Sequence, residues 1–156
     1  LIRIGNDEYT QANRSYGLTT LRDQHAQIDG DKLRFVFTGK SGKAWRLTLR
    51  DRRVAKVVKA AQDLPGQRLF QYVGEDGAPA HISSTDVNAY LRDISGRDIT
   101  AKDFRTWGAT VLATAELGAL GAAAGLTLAK ANVKLAVERV AASLGNTPTI
   151  CRKSYI

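Results

Sequence analysis

The residues of this 156-residue chain that could do chemistry are cations and one phenol, each beside a turn or a helix start. Arg3 lies two residues before Gly5, and Lys40 sits inside Gly39-Lys40-Ser41-Gly42-Lys43. Lys102 and Arg105 are spaced i, i+3 just ahead of Trp107, and Arg152-Lys153-Ser154-Tyr155 sets a phenol beside two cations. An arginine stays charged and can hold two oxygens of one phosphate at once. A tyrosine oxygen can attack phosphorus, but its pKa of about 10 means that neighbouring cations must favour the phenolate. A lysine on a turn can return a proton to a departing oxygen. These are the groups that cutting a phosphodiester without a metal requires.

Other chemistries find little support. Gly39 to Lys43 is too short for a phosphate-binding loop, and no Gly-x-Ser-x-Gly elbow occurs. With two histidines and one cysteine, no metal site and no cofactor are expected; His25 and His81 read as surface or strand residues. Cys151, alone, cannot close an internal disulfide, and a reducing compartment follows. The net charge is +8, with 11 basic and 6 acidic groups in residues 1–53. A polyanionic partner fits that balance, with nucleic acid ahead of a membrane surface. The longest uncharged run, Leu117 to Ala129, falls short of the roughly 20 residues a bilayer requires, and no secretory signal is visible.

Local patterns say what should position these groups. Leu1 to Arg14 reads as a helix ended by Ser15-Tyr16-Gly17. His25–Ile28, Leu33–Thr38 and Ala44–Leu49 read as three antiparallel strands, with Lys40 at a hairpin tip. Val54, Val57, Val58 and Ala61 share a helical face that Leu64-Pro65-Gly66 stops. Ser83 with Asp86, and Thr100 with Asp103, predict capping boxes opening helices through Ile94 and Leu117. Gly118–Gly125 reads as a flexible linker. Val133, Val137, Val140, Ala141 and Leu144 then mark a helix closed by Gly145, and Thr147-Pro148 opens a last short one. Trp45, Trp107 and the phenylalanines are expected in the core. The fold class is α+β, mainly α, with a small three-stranded antiparallel sheet.

Six ordered segments are similar to the catalytic domain of type IB DNA topoisomerases, specifically the bacterial enzymes related to the poxvirus one. They are Ile2-Arg3-Ile4-Gly5, Ser15 to Arg22, Phe37-Thr38-Gly39-Lys40, Leu69 to Tyr72, Lys102 to Trp107, and Leu144 to Pro148 with the closing Cys151 to Tyr155. The resemblance implies that Tyr155 is the nucleophile forming a 3′-phosphotyrosyl link. It implies that Arg3 and Arg105 clamp the phosphate and that Lys40 is the general acid. Lys102 is implied near the leaving group and Tyr9 in contact with DNA; Lys43 and Lys153 are further expected DNA contacts. Asn146 stands where many members carry a histidine, and its amide can make the same hydrogen bond without charge. The implied cycle is nicking, strand rotation and religation of double-stranded DNA without ATP or metal, by a monomer in the cytoplasm at the nucleoid. Because the chain starts on Leu1 and holds no methionine, residues 1–156 are expected to be the catalytic domain of a longer enzyme, without the family's N-terminal clamp domain. The nearest alternative is a tyrosine recombinase, but that family has H-x-x-R where this chain has Lys102-Asp103-Phe104-Arg105.

Overall fold

A computed structural model describes residues 2–156, which divide into two compact units, residues 2–90 and residues 91–156. In the first, α1 (Asp7–Asn13) leads through 3-10 turns to β1 (Ala26–Asp29), β2 (Lys32–Thr38) and β3 (Ala44–Arg50). The three strands form an antiparallel sheet in the order β1-β2-β3, with Phe35 opposite both Ala26 and Leu47. Then α2 (Arg52–Gln62) and a two-stranded ribbon, β4 (Gln71–Val73) with β5 (Pro79–His81), complete it. The alternation in β2 decides the layering: Leu33, Phe35 and Phe37 are buried, while Arg34, Val36 and Thr38 are exposed. Leu21, Val58 and Leu69 join the buried three in one core. Each fully buried aliphatic side chain there is worth about 1.5–3 kcal/mol over leaving it exposed.

The second unit holds α4 (Ala101–Leu120), α5 (Leu126–Leu144) and α6 (Pro148–Ser154), preceded by the end of α3 (Ser84–Ser95). Its core is built from small residues, Ala109 and Ala113 on α4 against Val140, Ala141 and Leu144 on α5, with Cys151 of α6. Small side chains let the helices approach closely. Among the described residues no helix is long and apolar enough to cross a membrane.

The α+β, mainly α class and the three strands are as expected. Both capping boxes are present: Asp86 accepts from Ser83 Oγ at 2.7 Å, and Asp103 from Thr100 Oγ1 at 2.7 Å. Those hydrogen bonds hold both carboxyls below the usual aspartate range. Several expectations need correction. The first helix starts only at Asp7, because the Asn6 side chain caps it; Leu1, where the expected helix began, lies outside the described residues. Residues 118–120 are helix, so the linker begins only at Gly121, whose φ of 72° ends α4. On α2, Val57 is exposed and Ala55 is buried, because the helix turns Ala55 and Val58 toward the sheet. Trp107 is 73% exposed and Phe104 53%, since the buried stripe of α4 is Arg105, Ala109 and Ala113 at i, i+4 and i+8. Trp45, by contrast, packs on the core and stacks on Phe37 with ring centroids 6.4 Å apart. The β4–β5 ribbon has no counterpart among the strands expected.

His25 is a core residue rather than a surface one. Its ring meets Tyr16 edge-on at 4.4 Å, and its Nδ1 accepts the Arg22 N–H at 3.0 Å. Burial, and then the Arg22 charge, lower its pKa from the ordinary 6.5. Below that ordinary value the unfolded chain takes up a proton that the folded chain resists, so stability falls as pH drops through this window. The melting temperature is therefore expected to fall between about pH 7.5 and pH 5.5, with His25→Gln flattening the profile. An equally steep profile in that variant assigns the dependence elsewhere.

Candidate active site

In the first unit the site is a cleft of about 520 Å³ beside α1, lined by Arg3, Gly5, Tyr9, Tyr16, Gly17 and Lys40 among others. Asn6 Oδ1 accepts the Tyr9 N–H at 2.9 Å, which caps α1 and fixes where the Tyr9 side chain leaves the helix. The segment carrying Arg3 is tied down through its backbone. Leu18 N–H donates to the Arg3 carbonyl and Thr19 N–H to that of Ile4, both at 2.8 Å. These bonds require glycine at position 17: an added Cβ would lie 2.5 Å from Gly5 Cα and 2.8 Å from the Arg3 carbonyl oxygen.

Lys40 is carried by the β2–β3 turn. Gly39 N–H donates to the Lys43 carbonyl at 2.8 Å, and Tyr16 N–H donates to the Thr38 carbonyl at 2.7 Å, tying that strand end to the cleft wall. Gly39 packs so closely on Trp45 that a Cβ would meet its Nε1 at 2.6 Å. Trp45, itself stacked on Phe37, thus sets the base of the turn, while the Lys40 ammonium stands 5.4 Å from the Tyr9 ring centroid. A cation over an aromatic face is attracted to it without losing its charge.

In the second unit the site is built on a buried cation. Arg105 is only 5% exposed, and its Nη2 donates to the Leu144 carbonyl at 2.8 Å. The last carbonyls of a helix lack intrahelical donors and carry partial negative charge, so a guanidinium is well matched there. Beyond Leu144 the chain turns through Gly145 at φ 68°, and Asn146 N–H donates back to Ala141 at 2.9 Å. Thr147 then caps α6 with Pro148 in its first turn, and Tyr155 closes it, N–H to the Cys151 carbonyl at 3.0 Å. The Arg105 guanidinium carbon lies 5.5 Å from the Tyr155 ring centroid, and Tyr155 packs against the helical core. Burial pushes the Cys151 thiol up, only partly offset by Arg105, so this cysteine stays a neutral packing group.

Of the residues expected from sequence, Arg3, Tyr9 and Lys40 line one cleft, and Arg105 with Tyr155 forms one cluster to which the α5–α6 turn brings Asn146 in sequence. Lys43 is not among the cleft residues and stands 5.9 Å from the Trp45 ring. Lys102 and Lys153 are exposed on α4 and α6. Sequence reasoning passed over Asn6, although an Asn followed by Asp7-Glu8 is a helix-start signal that would have found it. It also passed over Trp45 as a support for Lys40, which depends on a contact from across the hairpin turn.

Residues 1–155 match the eukaryotic DNA topoisomerase I catalytic core. The chain belongs to the topoisomerase I family. It is also 32% identical, over 164 aligned residues, to a DNA topoisomerase 1B of Acanthamoeba polyphaga mimivirus. That match covers 99% of this chain and 48% of the relative, so the chain spans about half the length of the curated relative it matches. The relative is viral, and the expected bacterial affiliation gains no support from it.

The backbone tie beneath Arg3 gives a stability test. Gly17→Ala forces its methyl into the Gly5 backbone and is expected to cost about 1–3 kcal/mol or more in urea unfolding. Gly118→Ala serves as reference, since neither Gly17 (φ −134°) nor Gly118 sits in the left-handed region and nothing lies within 4 Å of a Cβ added at Gly118. Equal losses in the two variants would show that the contact at Gly17 is not tight.

Proposed function

We propose that this chain carries the cleaving and resealing chemistry of a type IB topoisomerase. The observation that carries the reading is Arg105, a buried guanidinium held on the end of α5 and against the Tyr155 ring. The Arg3, Tyr9 and Lys40 cleft supports it with a second set of cations. In this reading all of them serve one phosphodiester of double-stranded DNA.

Tyr155 loses its phenol proton to solvent, and the phenolate oxygen attacks phosphorus to form a 3′-phosphotyrosyl ester as the bond from phosphorus to the 5′ oxygen breaks. Lys40 gives its proton to that 5′ oxygen and is left neutral. Arg3 and Arg105 take the charge that builds on the two non-bridging oxygens, and the Asn146 amide donates to one of them. Because the ester conserves the phosphodiester bond energy, the freed 5′ hydroxyl can reverse the attack after the strand has rotated, with Lys40 taking the proton back. No ATP enters this cycle, and the charge comes from side chains. Lys102 stands one turn from Arg105, near the leaving group, while Tyr9, Lys43 and Lys153 contact the DNA. Each role is filled once within one chain, which suits a monomer.

Supercoiled plasmid in EDTA without ATP is expected to relax through a ladder of topoisomers, and Tyr155→Phe to yield no adduct that survives SDS. A covalent adduct in Tyr155→Phe refutes the nucleophile. Lys40→Ala is expected to slow cleavage at an ordinary 5′ oxygen by about 10²–10⁴-fold, the usual worth of a general acid. A 5′-bridging sulfur, a better leaving group, is expected to restore most of that rate. If the sulfur substrate is equally slow, the acid is another residue.

A further inference from the structure

The outward face of the three-stranded sheet is cationic and takes no part in the core. Lys32 and Arg34 on β2, with Arg46 and Arg50 on β3, project from the side opposite the buried Leu33, Phe35 and Phe37. Pairing places Arg50 directly opposite Lys32, and Arg34 opposite Thr48 with Arg46 and Arg50 on its two diagonals. Like charges set face to face on a sheet cost stability. Among the strand positions of this face the one carboxylate is Asp29, opposite Lys32. None of the four cations joins an ion pair with a described residue. One carboxylate facing four cations offsets only part of their folding cost within this unit, and an external polyanion would offset the rest.

The placement of the face indicates which one. The same hairpin that carries Lys40 at its tip carries this face along its length. From Ala44 to Arg50 it runs about 20 Å at roughly 3.4 Å per residue. Side chains two positions apart are thus about 7 Å apart, two steps of a B-form strand at about 3.4 Å each. We propose that this face is a rail for the phosphate backbone of the duplex engaged at Lys40, extending its grip about six base-pair steps along one flank. The proposal rests on the DNA-cleaving reading for its choice of polyanion. The rail neutralises phosphates without reading bases, so its contribution is salt-dependent and sequence-independent.

The test is the dependence of duplex binding on salt, by fluorescence anisotropy on the full chain with a labelled duplex of about 20 base pairs. Each phosphate contact contributes about 0.9 to the slope of log K against log salt. Arg34→Gln/Arg46→Gln/Arg50→Gln is expected to flatten the slope by about 2–3. A triple with the same change in net charge elsewhere, Arg97→Gln/Lys130→Gln/Lys134→Gln, is expected to change it by less than about 1. Equal slopes in the two triples overturn the rail. So does energy transfer between two differently labelled duplexes that the first triple abolishes, because the face would then hold a second duplex. The outcome is separable from the cleavage reading: a wild-type chain that forms no Tyr155 adduct refutes cleavage, yet its salt slope still reports on the rail.

Discussion

The hydrogen bond from Arg105 to the Leu144 carbonyl gives one buried charge two roles. It satisfies the open end of α5, where backbone carbonyls have lost their helical donors, and it fixes the guanidinium relative to the turn that leads into α6. The arrangement of residues 91–156 follows from that bond. Small residues on α4 and α5 let the helices come close enough for Arg105 to reach Leu144. The turn at Gly145 and the cap at Thr147 then bring the chain back, so that α6 presents Tyr155 to the same guanidinium. A longer side chain at Ala109 or Ala113 would push the helices apart and move the charge off its carbonyl.

Residues 2–90 meet the same requirement, a cation held in place, by a different route. Arg3 rides on an extended segment whose carbonyls are tied to Leu18 and Thr19 across a glycine–glycine contact. Lys40 rides on a hairpin turn whose base is set by Gly39 against Trp45. In both cases the backbone is immobilised, and only the long side chain remains to adapt. That division suits phosphoryl transfer, where positioning supplies much of the rate and a misplaced charge is nearly as costly as a missing one.

Charge is distributed in this chain by depth. The buried cation, Arg105, leans on backbone and an aromatic ring, whereas the exposed ones on the sheet crowd together with Asp29 as the one carboxylate on their face. The surface ion pairs that do exist, such as Arg139 with Glu116 at 2.7 Å, join half-exposed groups and stabilise by about 1 kcal/mol or less. Positive charge left uncompensated after folding remains available to a polyanion.

Much of this was legible in the sequence because the signals are local. Alternation sets the inward face of β2, capping boxes open α3 and α4, and Gly145 with Thr147-Pro148 marks the turn into α6; each depends on residues within a few positions of one another. The types of the site residues were legible too, since few side chains can hold a phosphate or attack it. Tertiary structure alone decided which groups meet. Trp107 could be assigned to the core from its apolarity, yet it is exposed because α4 turns Arg105 and two alanines inward. His25 lies buried against rings supplied by Tyr16 and Phe37. Arg105 finds its carbonyl 39 residues away. Such contacts depend on how whole faces pack, and no local pattern records the partner that a face will find.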